Sequence, residues 1–336
     1  MFFSVAQGVA FEDLSVEQAV EKAQKENKYI FVDVYTDWCS PCKLMDKQVF
    51  PLKELGDYFN PKFVSLKINA EKGEVGPQFA NKYKIKAYPT FVILDNKGDL
   101  VHIFAGGILE PQKFINKVSE SFDSEKAYGI LKQRYDSGER DIKLVSNYLQ
   151  VLISTHTVKP DELVEEFYNS LTDDEKVSNE ALFIYEMFAP LKSDKANLFE
   201  EKRDQFREVV GTEKIDAILV AKYELYFGSV VRGYGKATIE DINATWEHIL
   251  KLGISNLKTL PVFKSAAVLT LTNEGKETVL KEIENAISNL TEREKDLMLY
   301  IVVPGLKDIL TEKEKENLIK LVTDEGVKGY IIRSAY

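Results

Sequence analysis

Apolar, β-prone residues run from Tyr29 to Tyr35 with a single polar interruption, Asp33. A run of that kind, without alternation, reads as a central strand buried on both faces. The period then lengthens, because Leu44, Met45, Val49 and Phe50 recur at helical intervals. A second strand pattern covers residues 63–68, and a helix pattern extends from about Val75 to Tyr83. A third apolar run, residues 87–95, meets the turn Asn96-Lys97-Gly98 and a strand over 100–104. So short a turn forces an antiparallel hairpin, whereas the earlier strand-helix-strand crossover pairs its strands in parallel. Helix patterns beginning near Ser15 and running from Glu110 to Phe122 close the set.

From Ser124 onward the strand patterns stop. Ala127, Ile130, Leu131 and Tyr135, and later Leu163, Val164, Phe167 and Leu171, keep a helical period. Asp and Thr caps mark helix starts, as at Leu171-Thr172-Asp173 and Leu290-Thr291-Glu292. The pattern predicts roughly nine to eleven helices of about ten to twenty residues, stacked as hairpins in an irregular solenoid or bundle. No period near the roughly 34 residues of a tetratricopeptide unit is evident. Tyr223, Tyr226, Phe227 and Tyr234 fit packing between these helices better than a ligand box. The division is therefore an α/β domain over 12–123 and an all-α domain over 124–336. The helical domain either docks on and stabilises the first, or offers a surface that selects protein or peptide substrates.

The 336 residues are 44% hydrophobic and 29% charged, enough to bury a core in each of two domains. The net charge is −10. An acidic balance argues against nucleic acid and against an anionic membrane surface as partners. No stretch of about 20 apolar residues is present to span a bilayer.

Chemistry concentrates in Trp38-Cys39-Ser40-Pro41-Cys42-Lys43, which holds the only two cysteines. A zinc site needs four ligands, and His102, His156 and His248 lie far off without ligand spacing. A structural disulfide framework would use more cysteines to staple distant segments. A dithiol at this spacing, between a strand and a helix, points to reversible disulfide chemistry. Cys39 falls at the helix N-terminus, where the dipole and unpaired N–H groups favour a thiolate nucleophile. Cys42, one turn inside, reads as the less exposed, resolving thiol. Pro41 suits an early helical position, where its missing N–H costs little. Asp37 and Lys43 flank the pair with opposing effects on Cys39.

With that motif and that order of elements, residues 12–123 resemble the thioredoxin-like family. The resemblance implies a protein-disulfide oxidoreductase with no metal and no organic cofactor, acting on disulfide-containing proteins or peptides. It implies that Pro89, after Tyr88, is a cis-proline facing the dithiol, with the Tyr88 backbone open to an extended substrate. It implies that Asp33 is a buried acid that accepts the Cys42 proton, and that Lys67 on the next strand tunes it. Trp38 would shield the dithiol and offer partners a flat apolar contact, with Ser40 and Pro41 beside it. Gly106-Gly107 allows close approach of a substrate backbone, or is a bulge before the last helix. Ser-Pro between the cysteines keeps the proline of reducing thioredoxins and lacks the histidine of oxidising relatives, so a reductant is expected. Isomerase or oxidase action, and a redox-sensing scaffold, are the competing readings.

Residues 1–11 resemble the end of a signal peptide, with Ala6-Gln7-Gly8 as small residues around a cleavage point, or else a disordered lead. Export to a periplasm is the expectation, a cytoplasmic protein the alternative. No nucleotide or flavin fingerprint occurs, so reduction needs an external electron donor: a membrane thiol carrier or a thioredoxin reductase.

Overall fold

The structure, a computed structural model, describes residues 8–336. Four strands, β1 (Tyr29–Tyr35), β2 (Phe63–Asn69), β3 (Thr90–Leu94) and β4 (Leu100–Ala105), form one sheet in the order β2-β1-β3-β4. β1 pairs in parallel with β2 and antiparallel with β3, and β3 returns into β4 as a hairpin. The near-continuous apolar character of β1 has its cause here, because both faces of the sheet are covered. Ile30, Val32 and Val34 pack in one core with Ala19 and Ala23 of α1 (Val16–Glu26) and Phe79 of α4 (Val75–Lys82). Phe31 packs in the opposite core with Met45 of α2 (Ser40–Gln48), Phe59 of α3 (Lys53–Phe59) and Phe114 of α5 (Pro111–Ser119).

Two local features differ from expectation. The dithiol helix does not run straight to β2, since α3 intervenes. Pro51 has no N–H to continue the ladder and disfavours helical backbone before it, so the chain breaks there and restarts. The last helix of this set also stops at Ser119 and tightens into a 3₁₀ turn over Glu120–Phe122. The leader expected over residues 1–11 falls, for residues 1–7, outside the described residues. Val9 N–H donates to Phe50 O at 2.8 Å, and Phe11 forms a bridge with Ser65 on β2 while its ring meets Phe50 edge-on at 5.1 Å.

The chain forms two compact units that divide at Lys176/Val177. The sequence division at 123/124 marks where strand-associated residues end, but helices beyond it belong to the sheet's unit. These are α6 (Tyr128–Asp136), α7 (Ile142–Thr155), α8 (Asp161–Ser170) and α9 (Asp173–Lys176). Tyr128 N–H donates to Nδ1 of the buried His102 on β4 at 3.1 Å. Burial pushes that imidazole down to about 3, so it is neutral and keeps Nδ1 as an acceptor. Gly129 lets α6 meet the edge strand, because a Cβ there would lie 2.1 Å from Leu100 O. The obstacle is backbone, which cannot swing aside. Gly129→Ala is expected to destabilise this unit by about 1–3 kcal/mol, read as a lower urea midpoint with unchanged slope. An unchanged midpoint would show that α6 does not seat on β4 this closely.

The second unit contains α10 (Leu182–Met187), α11 (Asp194–Glu201), α12 (Arg203–Val210), α13 (Thr212–Val231) and α14 (Ile239–Lys251). It continues with α15 (Leu260–Thr272), α16 (Lys276–Ile287), α17 (Glu292–Gly305), α18 (Glu312–Ile319) and α19 (Glu325–Ala335). Fourteen helices thus follow residue 124 among the described residues, more than the nine to eleven expected. The excess comes from short elements, such as α9 with four residues and α10 with six. It also comes from the break at Lys202, whose φ of −92° and ψ of 9° split α11 from α12. α13 is central, packing against α12, α15 and α17. Tyr223 and Phe227 are buried in it as expected, and Tyr226 partly so. Tyr234 is not; it follows Gly233, whose φ of 73° ends the helix, and it is 82% exposed. Among the described residues no helix is long and apolar enough to cross a membrane.

Candidate active site

Cys39 occupies the N-cap of α2, with extended backbone, and Ser40 and Pro41 form the first two helical positions. Proline fits there because the first helical N–H groups lack partners in any helix. Cys39 and Cys42 are joined as a disulfide. The Cys42 N–H donates to Cys39 Sγ at 3.1 Å, which occupies one orphan donor of the helix start. In the reduced state the same donor would favour negative charge on that sulfur. The expected contrast in access is absent: Cys39 is 2% exposed and Cys42 3%. Bonded to one another, each sulfur screens its neighbour from solvent.

Around this pair the structure gathers most of the residues singled out in the sequence. Trp38 stands 64% exposed, and its ring meets Tyr88 edge-on at 5.8 Å. Its indole N–H is shared by both carboxylate oxygens of Glu71, at 3.0 and 3.1 Å. The Tyr88–Pro89 peptide bond is cis. Pro89 O accepts from Gly106 N–H at 2.8 Å, and a Cβ at Gly107 would come within 3.0 Å of Pro41 Cβ. The double glycine therefore ties the Pro89 loop to the start of α2, with Gly106 at a φ of 108°. Asp37 is not free to act on Cys39 alone. Lys72 Nζ lies 2.6 Å from it and Asn69 donates to it at 2.8 Å, holding its carboxyl below the usual range.

Asp33 sits opposite Lys67 in the β1–β2 register and is 2% exposed. Lys67 Nζ lies 3.3 Å from its Oδ2, while Oδ1 is buried without a partner. Burial is the largest influence and pushes the carboxyl up to about 7, against the opposing pull of Lys67. The sequence reading missed two participants. Asp46 takes the closer ion pair with Lys67, and Glu71 fixes Trp38. Asp46 had a signal, since it lies four residues after Cys42 and so on the same helix face. Glu71 had none, because its contact with Trp38 spans 33 positions.

In the second unit a cavity of about 430 Å³ opens between α13, α15 and α17. Leu225, Phe263, Leu297 and Ile301 line it, and the Lys258–Glu294 ion pair at 2.6 Å stands at its edge. No cluster of metal-ligating side chains occurs among the described residues.

A family model described as a thioredoxin-like domain matches residues 16–120. Thioredoxin Y1 of Arabidopsis thaliana chloroplasts is 35% identical over 112 residues, 33% of this chain and 56% of that protein. Thioredoxin-1 of Drosophila melanogaster is 38% identical over 81 residues, 24% of this chain and 69% of that protein. A solution structure of a candidate disulphide isomerase from Bacteroides thetaiotaomicron shares 39% identity, with a TM-score of 0.33. It matches 36% of this chain and 98% of its own. The chain spans 56% and 58% of the length of two chloroplast thioredoxins that it matches.

Proposed function

The chain belongs to the thioredoxin-like family, and from that premise we propose that it is a thiol-disulfide oxidoreductase that reduces protein disulfides. The observation that carries this reading is the Cys39–Cys42 disulfide at the start of α2, with the Cys42 N–H on the Cys39 sulfur. In the reduced protein, the Cys39 thiolate attacks one sulfur of a substrate disulfide and displaces the other as a thiolate. Cys42 then loses its proton to Asp33 and attacks Cys39 Sγ. That step restores the 39–42 disulfide and frees the second substrate sulfur, so two electrons pass from the protein to the substrate. An external dithiol or reductase must return them. Trp38, Ser40, Pro41, Tyr88, Pro89 and Gly106-Gly107 form the surface that a substrate peptide would meet. Lys67 tunes Asp33.

The helical unit is proposed to narrow the substrates by docking them, a reading supported by its apolar cavity with a charged edge. If the protein is exported, the donor would be a membrane thiol carrier; in cytoplasm, a thioredoxin reductase. The test is insulin reduction together with the equilibrium potential of the couple. Turnover with a potential near about −270 mV is expected for a reductase. A value of about −180 to −120 mV would instead make the protein an isomerase or oxidase. A redox-sensing scaffold would keep its partner after loss of both thiols and reduce insulin poorly.

A further inference from the structure

We propose that Asp46 is a positioning residue for the dithiol: it draws the Lys67 ammonium off Asp33 and leaves that carboxylate free to accept the Cys42 proton. The inference rests on the oxidoreductase reading above. Asp33, Lys67 and Asp46 form a charge triad whose middle member is shared unequally. Lys67 donates its hydrogen bond to Asp46 Oδ1 and stands 3.3 Å from Asp33 Oδ2. The inner carboxylate keeps Oδ1 buried without a partner, although an ammonium carries three donors. Such an orphan acceptor is costly, so something must keep the cation from reaching Oδ1 as well.

The surroundings leave Asp46 as that agent. From β2 the charged neighbour of Asp33 is Lys67, and β3 places Phe91 opposite it. From α2 come Asp46 and, one turn earlier on the same face, Cys42. Tyr35 on β1, with Phe11 and Phe50, offers Lys67 only ring faces at 5.1 to 5.5 Å. Asp46 acts in two ways: it adds a like charge that disfavours ionised Asp33, and it occupies the cation that would favour it. An acceptor that ionises near neutrality is strong enough to take a thiol proton and still unprotonated often enough to do so.

Two measurements decide it. The carboxyl-carbon NMR signal of Asp33 in the oxidised protein is followed through its titration, whose midpoint is expected at about 7. In Asp46→Asn the midpoint should fall by about one pH unit, in Lys67→Met it should rise, and Asp46→Glu should restore it. The reduced protein is then mixed with a nitrophenyl disulfide that yields a coloured thiolate at each of the two steps. The acid limb of the second release should move down with the midpoint in Asp46→Asn, and its plateau should drop, because a weaker base removes the proton more slowly. An unmoved midpoint in Asp46→Asn would overturn the proposal. Absence of a second release in the unaltered protein would overturn the oxidoreductase reading instead, while the titration still decides the role of Asp46.

Discussion

Cys42→Ser is expected to stop turnover and to accumulate covalent adducts with substrate proteins through Cys39. The mixed disulfide normally breaks because a second thiol lies one turn away on the same helix. Such intramolecular attack is worth effective concentrations of roughly 10⁵ M or more, beyond any external thiol. A serine hydroxyl does not replace it, since it is not ionised near neutrality and leaves the Cys39–substrate bond intact. The resolving step should slow at least about a thousandfold. Cys39→Ser should be equally inactive but form no adducts, because the first attack is lost. Non-reducing electrophoresis of each variant after exposure to a cell extract, followed by mass spectrometry, reads the difference. Equal adducts with both variants would assign the nucleophile to the wrong cysteine.

Asp33→Asn is expected to stabilise the protein at neutral and alkaline pH while slowing its chemistry. In the folded chain the Asp33 carboxyl is pushed up to about 7, against an ordinary value of 3.8. Between those values the native state holds a proton that the unfolded chain has released, so stability falls as pH rises. The contribution is fully present below the unfolded value and is lost by the time pH passes through about 7. A rise of that size corresponds to about 4 kcal/mol, the upper limit of the gain on removing the charge. Lys67 would not be orphaned by the change, since Asp46 already holds it. Urea unfolding of the oxidised variant and parent at about pH 4 and pH 8 should show a gain at the higher pH alone. An equal gain at both would trace the effect to packing, not to charge.

The sheet was legible because both of its faces are covered, and burial leaves apolar runs that few other arrangements produce. Asp33 was legible for the same reason in reverse: a lone carboxylate in such a run has to be tolerated by something nearby. Its partner Lys67 came from the family resemblance, and the parallel β1–β2 register places it opposite Asp33. Asp46 and Glu71 escaped because their roles depend on how α2 and the segment after β2 lie over the sheet. Apolar spacing does not report that placement. The helical region was read correctly in kind but not in count, since breaks such as Lys202 change two torsions without changing the apolar period. The division at 176/177 was also hidden, because the bond that draws α6 to the sheet joins His102 to a backbone N–H 26 positions away.

That bond bears on how the molecule can be taken apart. A cut after residue 123, just beyond the family match over 16–120, would strip the edge of β4 of the helix seated on it. His102 would lose the Tyr128 N–H from Nδ1, and Leu100 O the backbone that now covers it, so an apolar strand edge would be opened to water. The natural piece for expression, grafting or fusion therefore runs to Lys176. For this chain the smallest transferable module is set by an edge strand's cover, not by the extent of sequence likeness.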